Sequence, residues 1–584
     1  AADTRGGAIL ITLRRRRDGG MDGNLQFSTV QSNRIAGYTP SGRIGIRTGR
    51  WTLTASGSGS FTPVAESRFT ETREQAGQPL PFAGRSDSKS RTNYGRGHFS
   101  AVFDPTPKHT AGFDIEYTER STHMPTLSRT TLGQTQSDSR YRQHMDGNTL
   151  TATANYIWKI DTLGSQFKLI ADYTRYTSDG DNSYHTTTCA PGTLRDSLYE
   201  SATGSVYDIL TADAGLTRKL PHGLTLRAGL RYTRNDMADK SRYAAQTQGT
   251  WLALPEYSYD QHYTEQIGAA YASLEYSAGR WELSAGLRGE YTSVASQAFG
   301  RSYFGLFPNV SVSRALNALR TWLLVAQWSR NIERPAFPAL NPARIRISDY
   351  SWQSGNPSLR PTYIHRFSLT AVWKYRYTLT VGGNLHHDLI REIAHRDATA
   401  PDAVYIRPEN HYTENHWFVA ASVPAKITRW WNLSVNAVGV MQRIRLNSTD
   451  SPATHYLMFA DATCSFTLPA GFFAEAVYRA QSRLYSGNSE VGPRHTLSAT
   501  VKKQLFGKRL TLFCTLSNIT GCDWEFASLT DGMRRTIDTG QAWSGRLWKV
   551  GAAWNFRTGK KFRARTVESA AETQRKRLVK STEQ

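Results

Sequence analysis

Hydrophobic and polar positions alternate with a period of two along most of the chain. The segment YASLEYSAGRWELSAGLRGEY, at residues 271–291, shows this pattern. Ala272, Leu274 and Tyr276 fall on one face of an extended chain, opposite the polar Ser273 and Glu275. After the SAGR turn the alternation resumes, with the apolar positions Trp281, Leu283, Ala285, Leu287 and Tyr291. The pattern predicts a β-hairpin with one apolar and one charged face.

The apolar faces of these segments indicate contact with lipid. They are small or aliphatic in the middle and aromatic at the ends, as at Tyr276/Trp281, Trp322/Trp328, Trp373/Tyr375 and Trp430/Trp431. Aromatic girdles that border a lipid-facing band produce this arrangement. The segments are about 10–14 residues long, which suits a tilted membrane strand. No stretch approaches the roughly 18–20 consecutive apolar residues of a membrane-spanning helix, so we expect the chain to cross a membrane with strands.

The connections between the predicted strands alternate between short and long. The short turns are expected near 47–50, 104–109, 160–164, 219–223, 277–280, 317–320, 374–376, 427–430, 469–471 and 506–508. After a first loop near 31–40, the long loops are expected near 63–93, 122–146, 178–205, 236–262, 292–306, 331–363, 391–415, 447–455, 486–493 and 519–544. This layout is typical of an outer-membrane barrel with short periplasmic turns and long extracellular loops.

Counting the segments between these turns gives about 22 strands, from residues 22–30 to residues 545–556. The sheet has to close, because lipid cannot pair the backbone groups of an open edge. The predicted fold class is therefore all-β, a transmembrane antiparallel β-barrel. A barrel of this size is too wide to fill with its own side chains, and such barrels are transporters with a plugged lumen.

Composition and charge distribution argue against several other classes of protein and site. The formal net charge is +23 and the pI is about 9.8, which would suit a nucleic-acid partner. The basic residues are instead spread singly through the alternating segments, apart from RRRR at 14–17 and the C-terminal tail, and we expect no nucleic-acid partner. The four cysteines form no CxxC pair, so neither a disulfide framework nor a zinc site is predicted. His386 and His387 would point to opposite faces of a strand and could not chelate one metal together.

A proline-marked stretch, LNPARIRISDYSWQSGNPSLRP at 340–361, interrupts the alternation. Together with its flanks at 328–383 it resembles the best-preserved region of the TonB-dependent outer-membrane receptor family. The residues that carry the resemblance, and to which a structural role is assigned, are Arg330, Arg334, Pro335, Leu340, Asn341, Pro342, Gly355, Asn356, Pro357, Leu359 and Pro361. Weaker resemblance extends to TRGGAILITLRR at 4–15, as the last plug strand, and to LTLFCTLSNITG and WNFRTGKKFRART as the final barrel strands.

This resemblance implies three regions. Residues 1–20 would be the end of a plug domain and a linker, 21–557 the transmembrane barrel, and 558–584 a basic, solvated periplasmic tail. It implies a receptor of the Gram-negative outer membrane that admits a scarce nutrient such as a ferric chelate, cobalamin, glycan or peptide. The implied partners are outer-membrane lipid and lipopolysaccharide, a TonB complex acting through an upstream plug, and, as a further option, a surface lipoprotein.

The residues between the motif positions are the predicted ligand-binding set: Arg344, Arg346, Asp349, Tyr350 and Trp352. They combine charge-assisted donors with flat aromatic surface, which suits an anionic or aromatic-bearing ligand. No nucleophile constellation is visible, and neither catalysis nor a cofactor or metal is predicted. A passive porin-like channel and a non-transporting surface-binding or adhesion barrel remain as alternative functions.

Overall fold

The computed structural model describes residues 19–578 except 76, 298–299, 349, 399, 401, 522 and 560–566. The described chain forms one sheet with 29 strands, of which 22 build a closed antiparallel barrel wall. The first half of the wall consists of β1 (Gly20–Gln31), β2 (Ile35–Thr48), β3 (Trp51–Gln75), β4 (Gln78–Phe103), β5 (His109–Leu132), β6 (Thr135–Lys159), β7 (Gln166–Ala190), β8 (Thr193–Lys219), β9 (Leu224–Thr247), β11 (Tyr259–Ala278) and β12 (Trp281–Ser296). The second half consists of β13 (Gly300–Ala315), β14 (Trp322–Glu333), β17 (Thr362–Trp373), β18 (Tyr377–Arg396), β19 (Val404–Lys426), β20 (Trp431–Arg445), β21 (Ala453–Thr467), β22 (Phe472–Gln481), β25 (Arg494–Leu505), β26 (Leu510–Ser517) and β29 (Leu547–Gly559).

Closure is direct, because the first and last strands pair over their whole length. Gly20 lies opposite Gly559, and Gln31 lies opposite Trp548. No edge therefore faces lipid, as the backbone requires in a membrane. The predicted fold class and the 22 strands are confirmed.

The remaining short strands lie in the long connections at the extracellular end, whereas the helical pieces are divided among these connections, one periplasmic turn and the C-terminal segment. The short strands are β10 (Thr250–Ala253), β15 (Ile345–Ser348), β16 (Ser351–Gln353), β23 (Leu484–Ser486), β24 (Ser489–Val491), β27 (Trp524–Thr530) and β28 (Met533–Gly540). The helical pieces are single turns: α1 (Phe337–Leu340), α2 (Glu572–Arg575), and the 3-10 turns Pro255–Tyr257, Pro469–Gly471 and Lys576–Leu578. Among the described residues, none of these helices has the length and apolar character needed to traverse a bilayer.

The ten short turns of the periplasmic end coincide with their predicted positions. In the hairpin from the opening segment, Ala278 pairs with Trp281 across a two-residue turn, and Gly279 has a φ of 58° there. A two-residue turn of this kind requires a positive φ, which glycine adopts without strain. Aromatic side chains collect at this end, as in the Trp51–Phe103 stack at 4.4 Å and the Trp322–Trp373 stack at 5.6 Å.

The extracellular end differs from expectation in several of its connections. Strands β3 to β9 have 24–27 residues each, about 80 Å at 3.3 Å per residue, so they extend far beyond the membrane. The connections predicted as loops at 63–93, 122–146 and 178–205 are therefore mostly paired strand, with the chain reversing between Gln75 and Gln78, at 133–134 and at 191–192. The first loop spans 32–34 rather than 31–40.

The two ends of the chain behave differently from each other. Residues 1–18, predicted to end a plug domain, lie outside the described residues. Residues 567–578, predicted to belong to a solvated tail, instead contact the inner wall of the barrel: the main chain of Ala570 and Ala571 reaches Asp172 of β7, and Arg577 reaches Glu265 of β11. The alternation pattern could not predict this placement, because it is a local signal and the ion pair between Arg577 and Glu265 joins residues that are far apart in sequence.

Candidate functional site: the extracellular mouth and the motif loop

The connection between β14 and β17, residues 334–361, is here called the motif loop. It folds into the barrel instead of projecting from it. Phe337 and Leu340 of α1 and Leu359 are buried in one cluster with side chains of the inner wall. The wall members of that cluster are Tyr207, Ile209, Met237, Tyr263 and Val294, from β8, β9, β11 and β12. Burial of three large apolar side chains, at about 1.5–3 kcal/mol each, holds the loop in the lumen.

Asn341 makes three hydrogen bonds, two of which tie the loop to the wall. Its amide nitrogen donates to the Asp239 carboxylate at 3.1 Å, and its carbonyl oxygen accepts from the Tyr259 hydroxyl at 2.5 Å and from the main-chain N–H of Ala343 at 2.9 Å. Burial and the nearby Asp239 charge raise the pKa of Tyr259, so the hydroxyl keeps its proton and remains a donor.

The second half of the loop depends on a close backbone crossing. A Cβ atom on Gly355 would lie 2.1 Å from the carbonyl oxygen of Asn341 and 2.8 Å from that of Ala339. Only glycine allows these two backbone segments to pass at this distance. The adjacent Asn356 donates its main-chain N–H to Ala339 O at 2.7 Å and its amide to Pro408 O at 3.0 Å.

The two arginines of the motif have different surroundings. Arg334 is buried and donates to the Glu290 carboxylate at 2.7 Å and to the Thr292 hydroxyl at 3.0 Å. Arg330 lies over the Tyr363 ring at 5.1 Å and donates to Leu306 O at 3.0 Å. The motif prolines fall at the loop ends and bends: Pro361 is buried, Pro342 and Pro357 are half-buried, and the carbonyl of Pro335 accepts a hydrogen bond from Arg577.

The structure brings together only part of the predicted ligand-binding set. The Arg344 guanidinium lies 4.0 Å from the Trp352 ring centroid and 5.1 Å from that of Tyr257, and it pairs with Asp397 at 3.1 Å. The indole N–H of Trp352 is buried without a hydrogen-bond acceptor.

The other members diverge from this pair. Arg346 lies over the Tyr199 ring of β8 at 5.3 Å, and Tyr350 meets the Phe82 ring of β4 edge-on at 5.8 Å. Asp349 lies outside the described residues. The ligand-binding role of all five therefore stays a prediction.

A three-charge cluster clamps the outer part of the motif loop to the extended wall. Glu71 of β3 pairs at 2.8 Å with both Arg73 and Arg535, the latter on β28. Arg535 also donates to the Ser351 hydroxyl at 3.1 Å, and Arg73 donates to the carbonyl of Tyr350 at 3.5 Å. Burial raises the pKa of Glu71, but the two guanidinium groups outweigh that effect and hold the pKa below its usual range.

A cavity of about 520 Å³ lies between the motif loop and the inner wall of β17, β18 and β19. Its charged and titratable lining includes Arg334, Arg366, His386, Arg391, Glu392 and His416. Beside it, the fully buried Glu414 carboxylate accepts from Arg391 at 3.0 Å and from His416 and Gln442 at 2.8 Å each. This arrangement suits non-covalent binding of a polar ligand through hydrogen bonds and ionic contacts.

Sequence reasoning missed most of this cavity. His386 was considered only as a metal ligand beside His387, and the two do face opposite ways: His386 lines the cavity, while the side chain of His387 is exposed. Over the described part of the chain, no group of three or more His, Cys, Asp or Glu side chains is arranged to hold a metal. The available signal was REIAHR at 391–396, a charged segment within the long loop predicted at 391–415.

This fold and site define an outer-membrane β-barrel whose lumen is entered by a long extracellular loop. The model of the outer membrane protein beta-barrel family matches residues 158–549, and the chain belongs to this family. It is a multi-pass barrel of the outer membrane of a Gram-negative bacterium. No curated protein sequence matches the chain.

Solved structures of similar fold include three receptors and transporters. The siderophore receptor PirA from Pseudomonas aeruginosa is 12% identical, with 93% of this chain and 81% of that chain covered and a TM-score of 0.56. A mutant ferric enterobactin receptor from Pseudomonas aeruginosa, in complex with enterobactin, is 13% identical, with 92% and 81% covered and a TM-score of 0.57. The copper transporter OprC is 11% identical, with 93% and 81% covered and a TM-score of 0.60. At these identities the likeness describes the fold.

Proposed function

We propose that the chain is the barrel of a TonB-dependent receptor that binds a scarce nutrient at its extracellular mouth and admits it to the periplasm. The observation that carries this proposal is the inward fold of the motif loop, which encloses the 520 Å³ cavity below the mouth. Buried cluster residues and the contacts of Asn341 and Arg334 hold this loop in the lumen. In this proposal a plug that includes residues 1–20 couples the barrel to the TonB complex.

The proposed ligand class is a small or medium-sized molecule that carries anionic or aromatic groups. Arg366 and Arg391 provide cationic lining to the cavity, while Arg344, Trp352 and Tyr257 form a cationic and aromatic surface near the loop's outer part. The volume falls within the range of about 300–1,000 Å³ that is usual for small-molecule sites. The net charge of +23 would raise the local concentration of anionic ligands. A surface lipoprotein partner also belongs to this proposal.

Growth of the source bacterium under nutrient limitation tests the function. Deleting the gene should impair growth on one of four supplied nutrient classes, namely ferric chelates, cobalamin, glycans or peptides, and deleting the TonB complex should reproduce the defect. Uptake that persists without the TonB complex would identify a passive channel. An unchanged growth profile together with lost surface attachment would identify an adhesion barrel.

Two pairs of variants locate the ligand. Ser354→Trp, on the cavity lining, should abolish uptake, whereas Ser358→Trp, at an exposed position of the same loop, should not. Arg344→Ala with Arg346→Ala should weaken growth on the true ligand, whereas Arg360→Ala, an exposed loop arginine paired with Asp388, serves as the control. Heat-modifiable gel migration verifies that every variant still assembles its barrel. Equal uptake by all variants would contradict the assignment of the site.

A further inference from the structure

The C-terminal segment, residues 567–578, follows the inner wall of the barrel from the periplasmic end toward the motif loop. The main-chain N–H groups of Ala570 and Ala571 both donate to the Asp172 carboxylate of β7, at 2.6 and 3.1 Å. Ala571 is fully buried. These contacts hold the start of the single helical turn α2 against the wall.

The far end of the segment meets both the wall and the motif loop. Arg577 pairs with the Glu265 carboxylate of β11 at 2.5 Å and donates to the carbonyl of Pro335 at 2.9 Å. Its guanidinium also lies 4.2 Å from the centroid of the Phe337 ring. Gln574 accepts hydrogen bonds from Arg577 at 2.8 Å and from Asn235 of β9 at 3.3 Å. The side chain of Arg577 therefore connects two parts of the fold that are far apart in sequence.

The wall groups that receive this segment have other partners as well. Asp172 accepts a hydrogen bond from Thr153 at 2.5 Å, and Glu265 accepts one from Asn235 at 2.8 Å. Arg334 also lies 4.0 Å from the Glu265 carboxylate. Departure of the segment would therefore leave no bare carboxylate on the wall. A site whose polar groups are satisfied in both states can bind and release its ligand without unfolding.

We propose that the inner wall from β7 to β11 is a binding site for the chain's own C-terminal segment, and that the bound segment narrows the lumen below the motif loop. The ligand class is a short basic helical peptide with three consecutive cations at its end, Arg575, Lys576 and Arg577. Specificity resides in Arg577, which is buried against Glu265, whereas Lys576 is exposed and pairs only with Glu572 of the same turn.

Conductance in planar lipid bilayers tests this proposal without any nutrient ligand, so its outcome is independent of the receptor function. A chain that ends at Thr566 should conduct in larger steps than the full chain. A synthetic peptide of residues 567–578, added to the truncated barrel, should restore the smaller conductance. The same peptide with Arg577→Ala should need about tenfold more peptide for half-maximal block, a loss of about 1.4 kcal/mol. The matched peptide with Lys576→Ala loses the same charge and should block as well as the original.

Two further measurements keep the proposal falsifiable if the truncated chain fails to assemble. In the full chain, Arg577→Ala should raise the fraction of time spent open about tenfold, whereas Lys576→Ala should not. In a chain whose four native cysteines are replaced by serine, a cysteine introduced by Ala571→Cys should react slowly with a membrane-impermeant maleimide in the folded barrel and rapidly in urea. Equal conductance of all chains, equal block by both altered peptides, or rapid maleimide labelling of the folded barrel would each overturn the proposal.

Discussion

Replacing Arg334 with alanine removes the most enclosed charge among the described residues of the motif loop. The side chain is 3% exposed and lies between two wall carboxylates, with its Nη2 2.7 Å from Glu290 and its Nε 4.0 Å from Glu265. Breaking a buried ion pair by removing one partner typically costs about 3–5 kcal/mol, because the other charge stays buried. Here each carboxylate keeps a second cation, since Arg288 lies 2.5 Å from Glu290 and Arg577 lies 2.5 Å from Glu265. We therefore expect a loss at the lower end, about 3 kcal/mol in the free energy of unfolding.

Urea unfolding of the barrel in phospholipid vesicles, followed by tryptophan fluorescence, measures this loss. The control is Arg129→Ala, which breaks an exposed pair with Asp138 at 2.6 Å and should cost less than about 1 kcal/mol. A double variant, Arg334→Ala with Glu290→Gln, removes both charges and should be at least about 1 kcal/mol more stable than the sum of the two single changes, Arg334→Ala and Glu290→Gln, predicts.

Two outcomes would refute this account of Arg334. Equal destabilisation by Arg334→Ala and Arg129→Ala would show that burial of the pair does not set its contribution. Additive effects in the double variant would show that Arg334 and Glu290 do not act on each other. Either result would also remove the reason for treating this motif arginine as structural.

Other parts of the site give further predictions. Gly355→Ala should displace the backbone crossing at Asn341 and speed tryptic cleavage of the motif loop several-fold. The control is Gly439→Ala, which should leave the cleavage rate unchanged because its added Cβ meets no atom within 4 Å. Equal cleavage rates for the two variants would contradict the steric argument. The pKa of Glu71 is lower in the folded protein than its ordinary value of 4.5, so its pairs with Arg73 and Arg535 contribute stability above that value and lose it as the pH falls through the folded pKa. Proteolysis of the 518–546 loop should therefore increase as the pH falls below 4.5 and through the folded pKa, and it should lose this dependence in Glu71→Gln. A pH-independent rate in the original chain would refute this explanation.

The membrane part of the fold was predictable because lipid imposes a strict pattern. Each spanning segment must alternate apolar and polar side chains, and each reversal at the periplasmic end must be short, so the turns could be placed to within about two residues. The extracellular parts of β3 to β9 carry polar residues on both faces, as in TETREQ at 70–75. Without a hydrophobic contrast between the faces, the pattern could not distinguish paired strand from loop.

The site was less predictable, since its contacts join residues that are distant in sequence. The family motif located the loop that enters the lumen, but no local pattern shows that Asn341 bonds to Asp239 or that Gly355 passes against Asn341. Arg344 and Trp352 meet as their proximity in the loop suggested, whereas Arg346 turns toward Tyr199. Ionic partners more than a hundred residues apart leave no periodic signal.

The motif loop and the C-terminal segment share one carboxylate, and this predicts the sign of their coupling. Glu265 lies 2.5 Å from Arg577 and 4.0 Å from Arg334, so the two cations compensate the same charge. Removing Arg334 should make Glu265 more dependent on Arg577, and the peptide of residues 567–578 should bind a truncated Arg334→Ala barrel more tightly than the unaltered one, by about tenfold or 1.4 kcal/mol. Binding couplings are reciprocal, so a ligand that draws Arg334 toward the cavity should also strengthen the binding of the C-terminal segment to the wall. Titration of block with the Arg577→Ala peptide gives the control, because that peptide should show no dependence on Arg334. If the unaltered peptide bound both barrels equally, the shared carboxylate would not couple the two elements.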